Sequence, residues 1–190
     1  MKKLLLLLII VPMIGFGQNK YTWKDVQKTE GVVLLKSTKE PVTGIVEGKG
    51  GWLWKWSQGF DTHNAVFENG KQISCIAYYK NGEVCHKKDK NNYGVTYYKN
   101  GQIKSEGNFI DHKKNGIWKD YQEYGELYIE ATYKDDLLNG PYKYYNVNGQ
   151  LEREMNYKDG KIDGLMKIYD KNGVIKKEIR YKNDKKVKSY

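Results

Sequence analysis

The second half of the sequence repeats itself every 24 residues. A glycine returns at this spacing, and its column is Gly101, Gly125, Gly149 and Gly173. Four more columns keep the spacing: Tyr97, Tyr121, Tyr145 and Tyr169; Ile103, Leu127, Leu151 and Ile175; Glu106, Glu130, Glu154 and Glu178; and Phe109, Tyr133, Tyr157 and Tyr181. A fixed period of this length is the signature of repeat proteins, in which each copy stacks on its neighbours. The period argues against one ordinary globular core.

Each copy is predicted to form a β-hairpin. Asn148-Gly149 lies between runs that alternate apolar and polar residues, and Asn-Gly favours a two-residue type I′ turn, in which both central residues have positive φ. In such a hairpin the numbers of facing residues sum to 297, and to 249 and 345 in the copies before and after. The predicted lysine–glutamate pairs are Lys119–Glu130, Lys143–Glu154 and Lys167–Glu178.

The same register divides the predicted sheet into an apolar and a charged face, because side chains alternate across a strand. The facing pairs opposite the lysine–glutamate side are Trp118–Ala131, Tyr142–Met155 and Met166–Ile179. The apolar face is predicted to carry Leu127, Ile129, Ala131 and Tyr133 with their equivalents. The charged face is predicted to carry Tyr121, Tyr145 and Tyr169 beside the cross-strand pairs.

Three stretches carry a further motif: GIWKDY at 116–121, YNVNGQL at 145–151 and YKDGKIDG at 157–164. They resemble the bacterial variant of the membrane occupation and recognition nexus (MORN) repeat, and the resemblance extends over residues 93–181. It implies an all-β fold, an elongated, twisted antiparallel sheet of tandem β-hairpins. It also implies a protein-binding role of the antitoxin or immunity type. The chain departs from the motif at Tyr124, which replaces an asparagine, and at Asp135-Asp136, which lacks a glycine.

Residues 1–17 predict a secretory signal peptide. Lys2 and Lys3 precede an apolar run over residues 4–14, and Gly15-Phe16-Gly17 supplies small residues for cleavage near Gly17 and Gln18. The apolar run is shorter than the roughly 20 residues of a membrane-spanning helix. We therefore expect a periplasmic or secreted protein.

The chain is basic, with a net charge of +10. Loss of the two lysines of the signal would leave about +8. This charge favours an acidic protein, an anionic lipid or a polysaccharide as partner. Export makes nucleic acid an unexpected partner. The basic tail contains Lys182, Lys185, Lys186 and Lys188.

The mature chain is predicted to have two parts. Residues 18–92 form irregular hairpins or degenerate repeats on the same sheet, and residues 93–190 form the regular repeats and the basic tail. Residues 18–30 are either an unpaired lead-in or a short capping strand. Trp52, Trp54 and Trp56 would point to one side of a strand, where they would either cover the sheet or bind a partner.

Catalysis and metal binding are not expected. His63, His86 and His112 stand alone in the sequence, and Cys85 and His86 would point to opposite faces of a strand. No cofactor motif occurs, because the glycines belong to turns. Export favours a Cys75–Cys85 disulfide, whereas a turn at Asn81-Gly82 would place Tyr78 opposite Cys85. The bonding of the two cysteines stays open.

Two functions fit the sequence. The first is a non-catalytic protein-binding module, and the second is an envelope scaffold that binds anionic lipid or polysaccharide. The candidate partner-binding residues are Trp52, Trp54, Trp56, Trp118, Tyr121, Tyr145 and Tyr169.

Overall fold

The computed structural model describes residues 19–30, 32–48 and 62–187. The regular elements within these ranges are all β-strands. Their bounds are β1 Lys20–Thr22, β2 Val26–Thr29, β3 Val32–Leu35, β4 Gly44–Gly48, β5 Thr62–Glu68, β6 Lys71–Tyr78, β7 Val84–Lys88, β8 Tyr93–Tyr97, β9 Ile103–Ile110, β10 Lys113–Tyr121, β11 Leu127–Lys134, β12 Leu137–Tyr145, β13 Leu151–Lys158, β14 Lys161–Ile162, β15 Gly164–Tyr169, β16 Ile175–Lys182 and β17 Lys185–Lys186. None of these described residues belongs to a helix long and apolar enough to cross a membrane. The predicted signal peptide and the stripe of Trp52, Trp54 and Trp56 lie outside the described residues.

Fifteen strands form one long sheet, and β2 and β3 form a separate hairpin. From β4 to β13 each strand pairs with the next along the chain, and the order continues through β15, β16 and β17 with β14 beside β13. The strands of this series pair antiparallel, whereas β1 lies parallel to β4 at the edge. The predicted all-β sheet of successive hairpins is confirmed.

The structure has the predicted register in the three regular hairpins. The lysine–glutamate partners are Lys119–Glu130, Lys143–Glu154 and Lys167–Glu178. The partners on the other face are Trp118–Ala131, Tyr142–Met155 and Met166–Ile179. The division into two faces therefore holds along the repeats.

The loop that contains Asn148-Gly149 is not the predicted type I′ turn. The Asn146 N–H donates to the Gln150 carbonyl at 2.9 Å, and the Gly149 N–H donates to the Asn146 carbonyl at 2.9 Å. Gly149 has a φ of 74°, and Asn148 is not among the residues with positive φ. The loop therefore has three residues, and only its glycine is left-handed.

A bulge beside this loop restores the predicted register. Tyr145 faces Leu151, whereas Tyr144 faces Arg153, so Glu152 is an extra residue on its strand. The longer loop shifts the pairing by one position, and the bulge shifts it back. These two deviations cancel, which is why the predicted pairs are correct although the predicted turn is wrong.

Type I′ turns lie at the opposite ends of the strands. Both central residues have positive φ at Asp159-Gly160, with 49° and 81°, and at Asp135-Asp136, with 52° and 69°. Asp136 compensates for its missing glycine, because its carboxylate accepts the Lys114 N–H at 2.7 Å and its own N–H donates to the Lys114 carbonyl at 3.1 Å. These bonds offset the cost of left-handed backbone at an aspartate and tie the turn to the preceding repeat.

One row of residues runs across ten strands and is buried over most of its length. Its members are Val46, Ala65, Cys75, Lys88, Gly94, Gly107, Trp118, Ala131, Tyr142 and Met155. We term this row the seam and the sheet face that carries it the core face. Two seam positions require glycine because aromatic rings lie on the backbone: a Cβ on Gly107 would lie 2.5 Å from the Trp118 indole, and one on Gly94 would lie 2.4 Å from the Phe109 ring.

The β2–β3 hairpin covers the core face at the N-terminal end of the sheet. Val26 and Val33 of this hairpin pack with Val46, Ala65 and Phe67 of the sheet in a buried apolar cluster. Together with the edge strand β1, the hairpin caps the array. Of the two alternatives for residues 18–30, the structure therefore has the capping strand, as far as these residues are described.

Gly107→Ala should destabilise the protein by about 1 to 3 kcal/mol, because the new methyl group would force the Trp118 indole off the strand and overpacked sites cost this much. The measurement is the free energy of unfolding in denaturant. Asn108→Ala is the matched control, since Asn108 is the next residue and is exposed, and its effect should stay within about 0.5 kcal/mol. Equal effects of the two substitutions would contradict the close packing at Gly107.

Stability should fall as the pH is lowered from about 6.5 towards about 4. His63 is 2% exposed and lies 4.4 Å from the Trp23 ring, and burial lowers its pKa from 6.5 to about 4. In this window the unfolded chain binds a proton that the folded chain excludes, which costs on the order of 3 kcal/mol in full. His63→Phe should reduce the slope of unfolding free energy against pH, leaving the contribution of the other histidines. An unchanged slope would rule out His63 as its source.

Candidate functional site

A cavity of about 450 Å³ opens on the core face. We term it the core-face cavity. Its floor spans strands β5 to β10, where the seam lies beside a second row of paired residues. This second row is His63, Ala77, His86, Thr96, Ser105 and Asp120.

Small side chains in the second row create the space. Ala77, Thr96 and Ser105 line the cavity, and the hydroxyl groups of Thr96 and Ser105 lie 2.7 Å apart and hydrogen-bond to each other. Phe109 and Trp118 form an aromatic wall, with ring centroids 4.9 Å apart. The cavity thus combines a floor of short side chains with a rigid apolar wall.

The three histidines, which are isolated in the sequence, all line this cavity. Burial lowers the pKa of His63 and of His86 to about 4 each, and burial also lowers the pKa of His112. All three imidazoles are therefore neutral at pH 7. Nε2 of His63 has no hydrogen-bond partner among the described residues. Within the same ranges no group of three or more His, Cys, Asp or Glu could hold a metal ion.

Both cysteines line the cavity as free, buried thiols. Cys75 faces Lys88, and Tyr78 faces Val84. The predicted Tyr78–Cys85 pair is wrong because Cys85 is an extra residue in a bulge, which the turn alone does not reveal.

The same bulge breaks the alternation of side chains. Cys85 and His86 therefore both line the cavity, instead of pointing to opposite faces. Burial raises the pKa of the Cys85 thiol to about 11 and also raises that of Cys75. Both thiols are protonated at neutral pH.

Two lysines of the cavity have different surroundings. Lys88 belongs to the seam and is only 9% exposed. The Lys114 ammonium lies 4.2 Å from the centre of the Trp118 ring and 4.9 Å from that of Tyr133, within the range of cation–π attraction. Lys114 is thus held by aromatic rings, whereas no aromatic ring within the described ranges makes such a contact with Lys88.

The charged face carries charges of alternating sign. A ladder of alternating charge crosses seven strands in the order Glu106, Lys119, Glu130, Lys143, Glu154, Lys167 and Glu178. The Lys143 ammonium lies 3.1 Å from the Glu130 carboxylate, which raises the pKa of Lys143. Each internal rung has neighbours of opposite charge, so this face is close to neutral along the ladder.

The tyrosine column belongs to this charged face. The Tyr121 hydroxyl donates to Glu106 at 2.6 Å, and the Tyr169 hydroxyl donates to Glu154 at 2.9 Å. Leu127 faces Tyr121, so the prediction that Leu127 lies on the apolar face is wrong. A bulge in β11 moves Leu127 to the charged face. The bulge at Glu152 moves Leu151 in the same way in the next repeat.

The candidate partner-binding residues within the described ranges are divided between the two faces. Trp118 lies on the core face but is 3% exposed, and its Nε1–H donates to the Asn108 carbonyl at 3.0 Å. Tyr121, Tyr145 and Tyr169 are partly buried on the charged face. The structure does not bring Trp118 and the tyrosines together on one surface.

A second surface begins where the buried seam ends. Ala131 is 1% exposed, but no described residue of β12 to β17 is buried. We term the partly exposed core-face residues of these strands the open core face: Tyr142, Met155, Met166, Ile168 and Ile179. Sequence periodicity locates these residues on one face but does not show that they are uncovered.

The comparisons with known proteins bear on the repeats. The family model described as "MORN repeat variant" matches residues 93–111, 114–135, 138–159 and 162–183. No curated protein matches the chain. Among solved structures, the chain is similar to "Crystal structure of GtfA/B complex bound to UDP and GlcNAc", with 15% identity and a TM-score of 0.29 over 62% of this chain. The chain spans 22% of the length of that one, and a likeness this weak supports no conclusion.

The four family matches follow one another with two residues between them, and each coincides with strands that pair in sequence order. The turn glycines at 101, 125, 149 and 173 all have positive φ, which agrees with the repeat pattern. Residues 93–183 of the chain are therefore an array of MORN repeats of this variant.

Proposed function

We propose that the protein is an exported, non-catalytic protein-binding module whose partner docks on the open core face. The observation that carries this proposal is the change along the seam, which is buried from Val46 to Ala131 and partly exposed at Tyr142 and Met155. Exposed apolar surface of this kind is typical of interaction sites. The charged face is the weaker candidate because the alternating charges of its ladder nearly cancel, which leaves little net charge to attract a partner.

The chemistry of the core-face cavity supports a non-catalytic role. The Cys75 and Cys85 thiols have raised pKa values, so neither supplies a thiolate at neutral pH. The depressed pKa of about 4 makes His63 and His86 weak bases. The glutamates occupy equivalent rungs of the ladder, whereas acid–base catalysis needs two groups with different pKa values.

The signal peptide predicted over residues 1–17 supports export, and a partner would then be met in the periplasm, in the envelope or outside the cell. A role of the antitoxin or immunity type is the form of protein binding that the family resemblance suggests. Export limits that role to a partner protein in the same compartment.

A cationic end of the sheet favours a second candidate function, which is attachment to anionic lipid or polysaccharide. Lys158, Lys161 and Lys182 line a polar depression near the C-terminal edge, and Lys185 and Lys186 form the last strand. Only Lys182 of this group has an ion pair among the described residues, with Asp163 at 3.0 Å. Attachment through these charges would weaken in salt, because salt screens exposed charges.

The test is affinity capture from envelope and secreted fractions of the source cells, using residues 18–190 as bait and washing first at low and then at high salt. Met155→Gln with Met166→Gln alters the open core face with little change in side-chain size. The pair Glu154→Gln with Lys167→Gln is the matched control, because these two residues face each other on the charged face of the same strands.

We expect a protein partner to survive high salt with the unchanged chain and with the control. Loss of two central apolar anchors should weaken its binding about tenfold or more. Recovery of lipid or polysaccharide alone, lost at high salt, would support the second candidate. Equal capture by both double variants would exclude the open core face as the docking surface.

A further inference from the structure

We propose that the core-face cavity binds a small organic carboxylate with an apolar or aromatic body. This site is separate from the open core face, and its occupancy does not depend on the protein-docking proposal. The size of the cavity, its lysine charge and its polar side chains favour such a ligand.

The cavity suits a small molecule. Its volume of about 450 Å³ lies within the roughly 300 to 1,000 Å³ typical of small-ligand sites. Ala77, Phe109 and Trp118 supply apolar lining. The indole is fixed by its contact with Gly107 and by its hydrogen bond to Asn108, so the wall is formed before a ligand arrives.

Lys88 supplies a charge that the protein does not balance. It is 9% exposed and lines the cavity, and no ion pair joins its ammonium to another described residue. Its Nζ is not among the buried side-chain atoms that lack a partner, so the ammonium is accessible from the open cavity. One carboxylate is present among the described lining residues, that of Asp136. It accepts a hydrogen bond from the backbone N–H of Lys114 at 2.7 Å. The Lys88 ammonium therefore offers an anionic ligand a positive charge that no described carboxylate pairs with.

Two further polar side chains line the same cavity. His63 is 2% exposed, and its Nε2 has no hydrogen-bond partner among the described residues and lies on the cavity wall. In the neutral tautomer with the proton on Nε2, this atom donates a hydrogen bond. The Gln72 side chain also lines the cavity; it interacts with the Cys75 thiol, and its amide nitrogen has no nitrogen or oxygen partner among the described residues. A carboxylate accepts hydrogen bonds from all such groups and donates none.

The number of available charges favours a monoanion over a phosphate dianion. Lys114 is engaged by Trp118 and Tyr133. Lys104 lies at the exposed rim, 5.7 Å from the centre of the Tyr98 ring. Lys88 is therefore the one described lysine of the lining that is both buried and without an aromatic contact, and it matches the single charge of a carboxylate.

The experiment titrates the folded chain with hydrocinnamate and, separately, with its neutral amide, using isothermal titration calorimetry at neutral pH. We expect saturable binding of hydrocinnamate with a Kd below about 1 mM. The amide should bind about tenfold or more weakly, because a charge-assisted hydrogen bond is lost. Lys88→Met should reduce the affinity for hydrocinnamate to a similar extent.

Lys104→Met is the matched control, since it removes an equal charge from the exposed rim and should change the affinity less than about threefold. The proposal is overturned by absence of saturation with hydrocinnamate, by equal binding of acid and amide, or by equal effects of the two lysine substitutions. If Lys88→Met does not fold, the proposal is tested on the unchanged protein by nuclear magnetic resonance during titration with hydrocinnamate. Hydrocinnamate should then shift the Trp118 indole N–H, and an unshifted signal would overturn the proposal.

Discussion

The register between strands is the constraint on which the rest of the structure depends. Side chains alternate with a period of two, so a slip of one residue would exchange the core face and the charged face. The array contains three-residue loops at one end of its strands and type I′ turns at the other. Each three-residue loop would shift the pairing by one position, and a neighbouring bulge reverses the shift. Because these corrections recur, the seam stays continuous from Val46 to Met155.

This constraint explains which parts of the fold are readable from sequence. The glycine and glutamate columns fix where each hairpin turns and which residues face each other, so pairs such as Lys143–Glu154 follow from counting alone. The turn type does not follow, because Asn-Gly suits both a type I′ turn and a three-residue loop with a left-handed glycine. The register was predictable only because loop and bulge compensate each other. Leu127 lies inside the bulged segment, and there the pairing predicted from residue numbers is wrong by one position.

The core-face cavity was not predictable for a different reason. His63 and His86 are far apart in the sequence and share a row only after the register has been carried across β5, β6 and β7. The bulge at Cys85 then adds a side chain to the cavity that strict alternation would place on the other face. No local pattern in residues 62–88 signals this outcome. Small residues such as Ala77 and Ser105 also carry no signal by themselves, since the space they leave exists only between strands.

The two edges of the sheet differ in how well they are covered. At the first edge, a hairpin and a parallel strand bury Val42 and Val46 completely; at the last edge, β17 contains only two lysines. A short, charged edge strand discourages another chain from extending the sheet. In a linear array, local opening begins where the fewest groups are buried. Backbone amides of the C-terminal repeats would therefore exchange hydrogen faster than those of the capped end. The C-terminal repeats would unfold while the N-terminal part of the sheet remains folded.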